Sequence, residues 1–150
     1  MNNKTLTEIQ EMWKKECQID DIELDASSLN VPKLHAKYAE LLSNKKLEVI
    51  RYERRMKELD KDKWLWYGGK MSREDIEDKK WDFDPFNGLT VLKSDYDKFK
   101  GADKDIQDLY EKLQYLRITV EFLQDVVSQL TWRHQTIKNI IEWRKFMAGS

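Results

Sequence analysis

Between Lys45 and Lys63 the chain places eight basic residues among five acidic ones in nineteen positions. They are Lys45, Lys46, Arg51, Arg54, Arg55, Lys57, Lys61 and Lys63. Arg54, Lys57 and Lys61 are spaced by three and four, so a helix would carry them on one face. Trp64, Trp66 and Tyr67 follow at once, then Gly68-Gly69 and Lys70. Cationic side chains track phosphates, and flat aromatic rings offer stacking platforms to unpaired bases. Together they are the ingredients of sequence-tolerant binding to a single strand. Interleaved Lys and Glu also make an ordinary solvated helix face, and a Trp can equally be core.

Catalytic chemistry is not legible. His35 and His134 are isolated, Cys17 has no histidine near it in sequence, and no phosphate loop, dinucleotide turn, nucleophile elbow or zinc-binding helix occurs. Asp82-Phe83-Asp84 begins like a calcium loop, but the fifth position is Phe86, the sixth is Asn87 and the twelfth is Lys93. The expectation is a non-enzyme with no catalytic residue, no metal and no cofactor.

The bulk numbers agree with a binding protein. Charged residues are 37% of 150 and the mean hydropathy is −0.81, too polar for a large monomeric core. Six Trp and six Tyr argue against a disordered tail. A net charge of −1 gives no global pull on nucleic acid or membrane, so a local patch must do the binding. One cysteine predicts a reducing compartment. No secretory leader or membrane-spanning run is found, so a soluble intracellular protein without membrane contact is expected.

The elements that position the basic stretch are helices. With two Pro and five Gly in 150 residues, the fold class is mainly α with long helices. Thr5-Leu6-Thr7-Glu8 fits a capping box for a short first helix. Residues 19–30 form an acidic connector. Ser28 or Asn30 caps a second helix with Pro32 in its first turn, and Gly68 stops it. Asn87-Gly88 beside Leu89-Thr90-Val91-Leu92 suggests a small β-hairpin near 83–92, with Pro85 confining its first strand to an edge. Asp103 or Asp105 starts a last long helix that Gly149 ends.

That last helix carries eleven positions at alternating steps of three and four: Ile106, Leu109, Leu113, Leu116, Val120, Leu123, Val127, Leu130, His134, Ile137 and Ile141. The series would span roughly 55–60 Å at helical rise. Such a stripe needs an equally long partner, and sustained heptads predict self-association as an oligomeric bundle or coiled coil. Val126 and Ile140 widen it, with Tyr115, Phe122 and Trp143 further round, which favours an assembly larger than a dimer. Alternatively, these aromatics pack on the chain's own second helix. His134 is either a pH-sensitive register lock or a neutral imidazole bonded to a neighbour. The expected division is a DNA-binding and connector region at 1–101 and an oligomerisation helix at 102–150.

An ordered series of residues resembles the UvsY recombination mediators of tailed bacteriophages. It comprises Ala102-Asp103-Lys104-Asp105, Leu113-Gln114-Tyr115, Phe122, Arg133, Ile137-Lys138, Arg144, Phe146 and Ala148-Gly149. Ile19-Asp20 is similar too, as is Lys61-Asp62-Lys63-Trp64 leading to Tyr67-Gly68-Gly69. The resemblance implies a non-enzymatic loader, hexameric or heptameric through its C-terminal helices. Its partners would be single-stranded DNA, a RecA-like recombinase and a single-strand DNA-binding protein, in the cytoplasm of the infected bacterial host. The family's DNA-contacting pair maps to Lys61 and Lys63, the second being Lys where the family has Arg. The implied DNA site is Lys61 and Lys63, helped by Arg54, Lys57, Trp64, Trp66 and Tyr67. Two rivals stand beside it, a coiled-coil scaffold and a regulatory dimer acting only through protein contacts.

Overall fold

The computed structural model describes residues 3–149, and the described residues are helical with no strand. Helix α1 spans Leu6–Glu16, α2 Leu24–Tyr67, α3 Arg73–Lys79, α4 Tyr96–Gly101 and α5 Lys104–Met147, with a 3₁₀ turn at Lys93–Asp95 before α4. None is long and apolar enough to cross a membrane. The chain divides into two compact units, Met1–Leu47 with Arg117–Ser150, and Glu48–Leu116. Both units draw on residues from before and after position 101.

In the first unit the expected capping box is present. Thr5 Oγ1 accepts from the Glu8 amide at 3.2 Å and Glu8 Oε2 accepts from the Thr5 amide at 2.8 Å. These bonds satisfy orphan donors of the first turn. The second helix starts earlier than the sequence suggests, at Leu24 and not at Ser28 or Asn30. Asp20 Oδ1 accepts from the Ile22 and Glu23 amides, and Ser27 Oγ accepts from the Asp20 amide. Pro32 therefore lies within α2, where its missing N–H removes one helical hydrogen bond.

The core of this unit joins Ile9 of α1, Leu34, Tyr38 and Leu41 of α2, and Leu123, Val126 and Leu130 of α5. Trp13 packs edge-on against Tyr38, centroids 5.2 Å apart, and Phe122 lies against the same cluster. Arg133 is buried and donates to the backbone carbonyls of Gln18 at 2.8 Å and Glu16 at 3.4 Å. A buried cation is thereby held by the C-terminal end of α1, where helix carbonyls concentrate negative charge.

This packing corrects the reading of the heptad series. The expectation was that the stripe required sister copies for cover. Five of its residues, Leu113, Leu116, Leu123, Leu130 and Ile137, are already buried within the single chain. Ile106, Leu109, Val120 and Val127 are half-buried, while His134 and Ile141 are exposed. In the first unit, Leu34, Tyr38 and Leu41 of α2 cover Leu123 and Leu130 of the stripe. The buried line runs through Thr119, Val126 and Arg133, one step behind Val120, Val127 and His134. Periodicity locates a face to within a residue and does not say what covers it. His134 Nδ1 lies 2.9 Å from the Thr131 carbonyl oxygen, so the imidazole bonds a neighbour on its own helix.

In the second unit, residues 83–92 form turns and not the expected hairpin. The Asp84 carboxylate accepts from the amides of Phe86 at 2.9 Å and Gly88 at 2.5 Å. Asn87 and Gly88 take positive φ of 54° and 81°. The side chain of Phe86 is drawn among Tyr67, Tyr96 and Phe99, with centroids 5.0–5.7 Å away. An aromatic cluster thus takes the apolar residue that the first strand would have needed. The start of α5 agrees with expectation. Asp103 Oδ1 accepts from the Ile106 amide at 3.2 Å, the geometry of a helix cap.

Candidate nucleic-acid interface

The seven residues of the implied DNA site, Arg54, Lys57, Lys61, Lys63, Trp64, Trp66 and Tyr67, lie on the C-terminal half of α2 in the second unit, where the helix sorts them onto opposite faces. Inward are Lys63, Trp66 and Tyr67, all buried. Outward are Arg54, Lys57, Lys61 and Trp64. At 100° per residue, Ile50, Arg54, Lys57, Lys61 and Trp64 fall within an arc of about 80°. Ile50 and Trp64 are 60% and 53% exposed. Lys61 is exposed and lies 4.0 Å from Asp62, which already accepts from Lys79 at 3.0 Å, so the pair is weak.

Lys63 is only 2% exposed. Its Nζ lies 3.0 Å from Asp103 Oδ2 and 2.9 Å from Asp105 Oδ2. The same ammonium sits 3.9 Å from the centroid of Trp81 and 4.5 Å from that of Trp66. Tyr67 donates its hydroxyl to Asp103 Oδ2 at 2.7 Å, and Trp66 donates its indole N–H to the Asp82 carbonyl at 2.8 Å. A buried charge is tolerable only when paired and hydrogen-bonded, and this one has two carboxylates and two ring faces. Burial tends to raise the Asp103 pKa, but hydrogen bonds from Tyr67 and Lys63 outweigh it and hold the carboxyl below its ordinary value. The Tyr67 hydroxyl is pushed up, first by burial and then by its bond to Asp103.

So the structure brings together two groups that sequence alone could not separate. One is an exposed cationic and aromatic strip. The other is a buried lock in which Lys63 joins the end of α2 to the start of α5. Trp81, Asp103 and Asp105 belong to that lock and were not nominated. Three consecutive polar or charged residues, Asp103-Lys104-Asp105, gave no sign that one carboxylate would be 8% exposed.

Lys70, named in the basic and aromatic stretch but not in the implied DNA site, also takes a defined place. It follows a tight helix stop in which the Gly69 amide donates to Trp66 O at 3.2 Å and the Lys70 amide to Leu65 O at 2.8 Å. Gly69 has φ +69°, a left-handed conformation that L side chains resist. That turn folds Lys70 back until its Nζ stands 4.4 Å from the centroid of Trp64. The glycine pair beside a Trp and a Lys was the available signal.

With this geometry in view, the comparisons with known proteins are specific. Residues 12–150 match the protein-family model described as "Recombination, repair and ssDNA binding protein UvsY". The chain is 29% identical over 144 residues to "Recombination protein uvsY" of Enterobacteria phage T4, spanning 96% of this chain and 98% of that protein. Crystal structures of the bacteriophage T4 recombination mediator protein UvsY share the fold. Lattice type II gives a TM-score of 0.79 at 26% identity, covering 97% of this chain and 99% of that one. Lattice type IV gives 0.76 at 24% identity, covering 96% and 99%. A helical chain with a basic strip on one long helix, matched along nearly its whole length in sequence and in fold, belongs to the UvsY family of recombination, repair and single-stranded DNA binding proteins.

Proposed function

We propose that this chain is a non-enzymatic phage recombination mediator. It holds single-stranded DNA on the exposed strip of α2 and loads a RecA-like recombinase onto a strand covered by single-strand DNA-binding protein, in the cytoplasm of the infected host. The observation that carries the reading is the exposed arc of Arg54, Lys57 and Lys61 on one helix face, in a chain matched over residues 12–150 by a single-stranded DNA binding family. These three cations follow the phosphates. Lys63, Trp66 and Tyr67 support the strip from behind, because their polar atoms and ring faces are engaged inside the unit.

The protein works as a homo-oligomer, hexameric or heptameric. Supporting this are apolar side chains of α5 that its own chain leaves in solvent. Trp132, Trp143, Phe146 and Met147 are 62–70% exposed, and isolated soluble domains rarely expose so many large apolar groups on one helix. Repetition matters energetically: one strip is weak, while several tethered strips share a strand at high effective concentration. A strand organised in this way is held less firmly by the competing coat protein and offers the recombinase a nucleation site.

Fluorescence anisotropy with labelled oligo-dT across a salt series tests the DNA site. The wild-type logarithm of affinity should fall linearly with log salt, by about 0.7 per phosphate neutralised. The double substitution Lys57→Ala with Lys61→Ala should flatten the slope at unchanged mass. An unchanged slope would remove these lysines from the interface.

A further inference from the structure

We propose that Trp64 is a base-stacking platform beside the cationic strip, and that Lys70 covers it in the free protein and gives way to an unpaired base. The inference rests on the single-stranded DNA reading above and adds the group that recognises the strand as single.

Of the three aromatics at the end of α2, two are withdrawn. Trp66 and Tyr67 are 9% and 6% exposed, and their polar atoms bond Asp82 and Asp103. Trp64 is 53% exposed. It closes the arc that begins with Arg54 and continues through Lys57 and Lys61, so a strand tracking those cations by its phosphates reaches the indole next. The contact with Lys70 is built and not incidental. Along a continued helix, Lys70 would stand six residues and about 9 Å beyond Trp64. The left-handed turn at Gly69 and the 2.8 Å bond from the Lys70 amide to Leu65 O reverse the chain and set the ammonium over the ring.

An exposed cation over an indole is a weak, reversible contact, and a nucleobase is a larger flat partner for the same face. When a base stacks there, the displaced ammonium is left beside the strand's own phosphates, so its charge is re-paired. Bases inside a duplex have no free face to offer, whereas phosphates are present in both forms. The cations therefore supply affinity and Trp64 supplies preference for an unpaired strand.

The experiment uses the full-length protein, short oligo-dT, and an abasic strand of the same length, which keeps the phosphates and lacks the bases. Wild type should bind oligo-dT roughly tenfold or more tightly than the abasic strand, the scale of one base stacked on an aromatic ring. Trp64→Ala should bring that ratio close to one while leaving the salt slope as in wild type, and Trp64→Phe should restore most of the ratio. Lys70→Ala should keep the ratio and reduce the slope, since a phosphate partner is lost. A Trp64→Ala protein with the wild-type ratio, or a wild type with no preference for oligo-dT, overturns this inference alone. A wild type that binds neither strand overturns it together with the function on which it rests.

Discussion

At the scale of single residues, the sharpest distinction is between Lys61 and Lys63, two lysines that look alike in sequence. Helical geometry sends one to solvent and the other beneath Trp66 and Trp81. Replacing Lys63 by Ala leaves Asp103 buried without its cation, so stability should fall by about 3–5 kcal/mol, measured by urea unfolding. Lys61→Ala should leave unfolding nearly unchanged and act on DNA affinity. The lock also sets a pH dependence whose sign follows from Asp103. Its pKa in the folded state lies below the ordinary carboxylate value. The stability it contributes is therefore full above that ordinary value and disappears as pH falls through the depressed one. Asp103→Asn should be less stable than wild type at neutral pH and lose less stability on acidification. A parallel pair of stability curves would show that Asp103 does not titrate as the packing requires. Residue type alone left this hidden: Lys beside Trp reads as a nucleic-acid contact or as a buried cation–aromatic pair, and only the tertiary position of Trp81 decides.

At the scale of elements, three local signals were read correctly, while the start of α2 at Leu24 was placed too late. The Thr5–Glu8 capping box, the stop after Tyr67 and the cap at Asp103 depend on a few adjacent residues, and the structure has all three. What depended on distant partners was not legible. Asn87-Gly88 does make a positive-φ turn, but Phe86 is captured by Tyr67, Tyr96 and Phe99, and no strand forms around it. The heptad series is periodic as expected, yet part of it is ordinary core. Two substitutions separate these roles. Leu123→Ala, at a fully buried site, should cost about 2–5 kcal/mol. Ile141→Ala, where the side chain is 39% exposed, should cost far less in unfolding. Equal losses at the two sites would mean that assembly, and not the single chain, buries the whole stripe. Gly69→Ala tests the turn: a side chain at φ +69° should cost about 1–2 kcal/mol. It should also release Lys70 from Trp64, seen as a change in tryptophan emission.

At the scale of the whole molecule, a net charge of −1 offers no long-range attraction to DNA, and the proposed function draws its affinity from repeating a small cationic strip. Trp143 and Phe146 stack with centroids 5.6 Å apart while remaining 62% and 70% exposed. A second copy covering that pair would assemble the strips without disturbing the core of Ile9, Tyr38 and Leu123. The double substitution Trp143→Ala with Phe146→Ala should therefore lower the mass measured by light scattering and leave helical content and unfolding of the individual chain almost unchanged. Its effect on DNA should depend on strand length. A short oligonucleotide engages one strip and should bind the variant about as well as wild type. A long strand engages several strips in the wild type, and the loss on disassembly should be about 100-fold or more. The salt slope for the long strand should shrink at the same time, because fewer phosphates are neutralised per protein particle. A dissociated variant that still holds long single strands as tightly as wild type would mean that one chain suffices, and the oligomer would need another reason to exist.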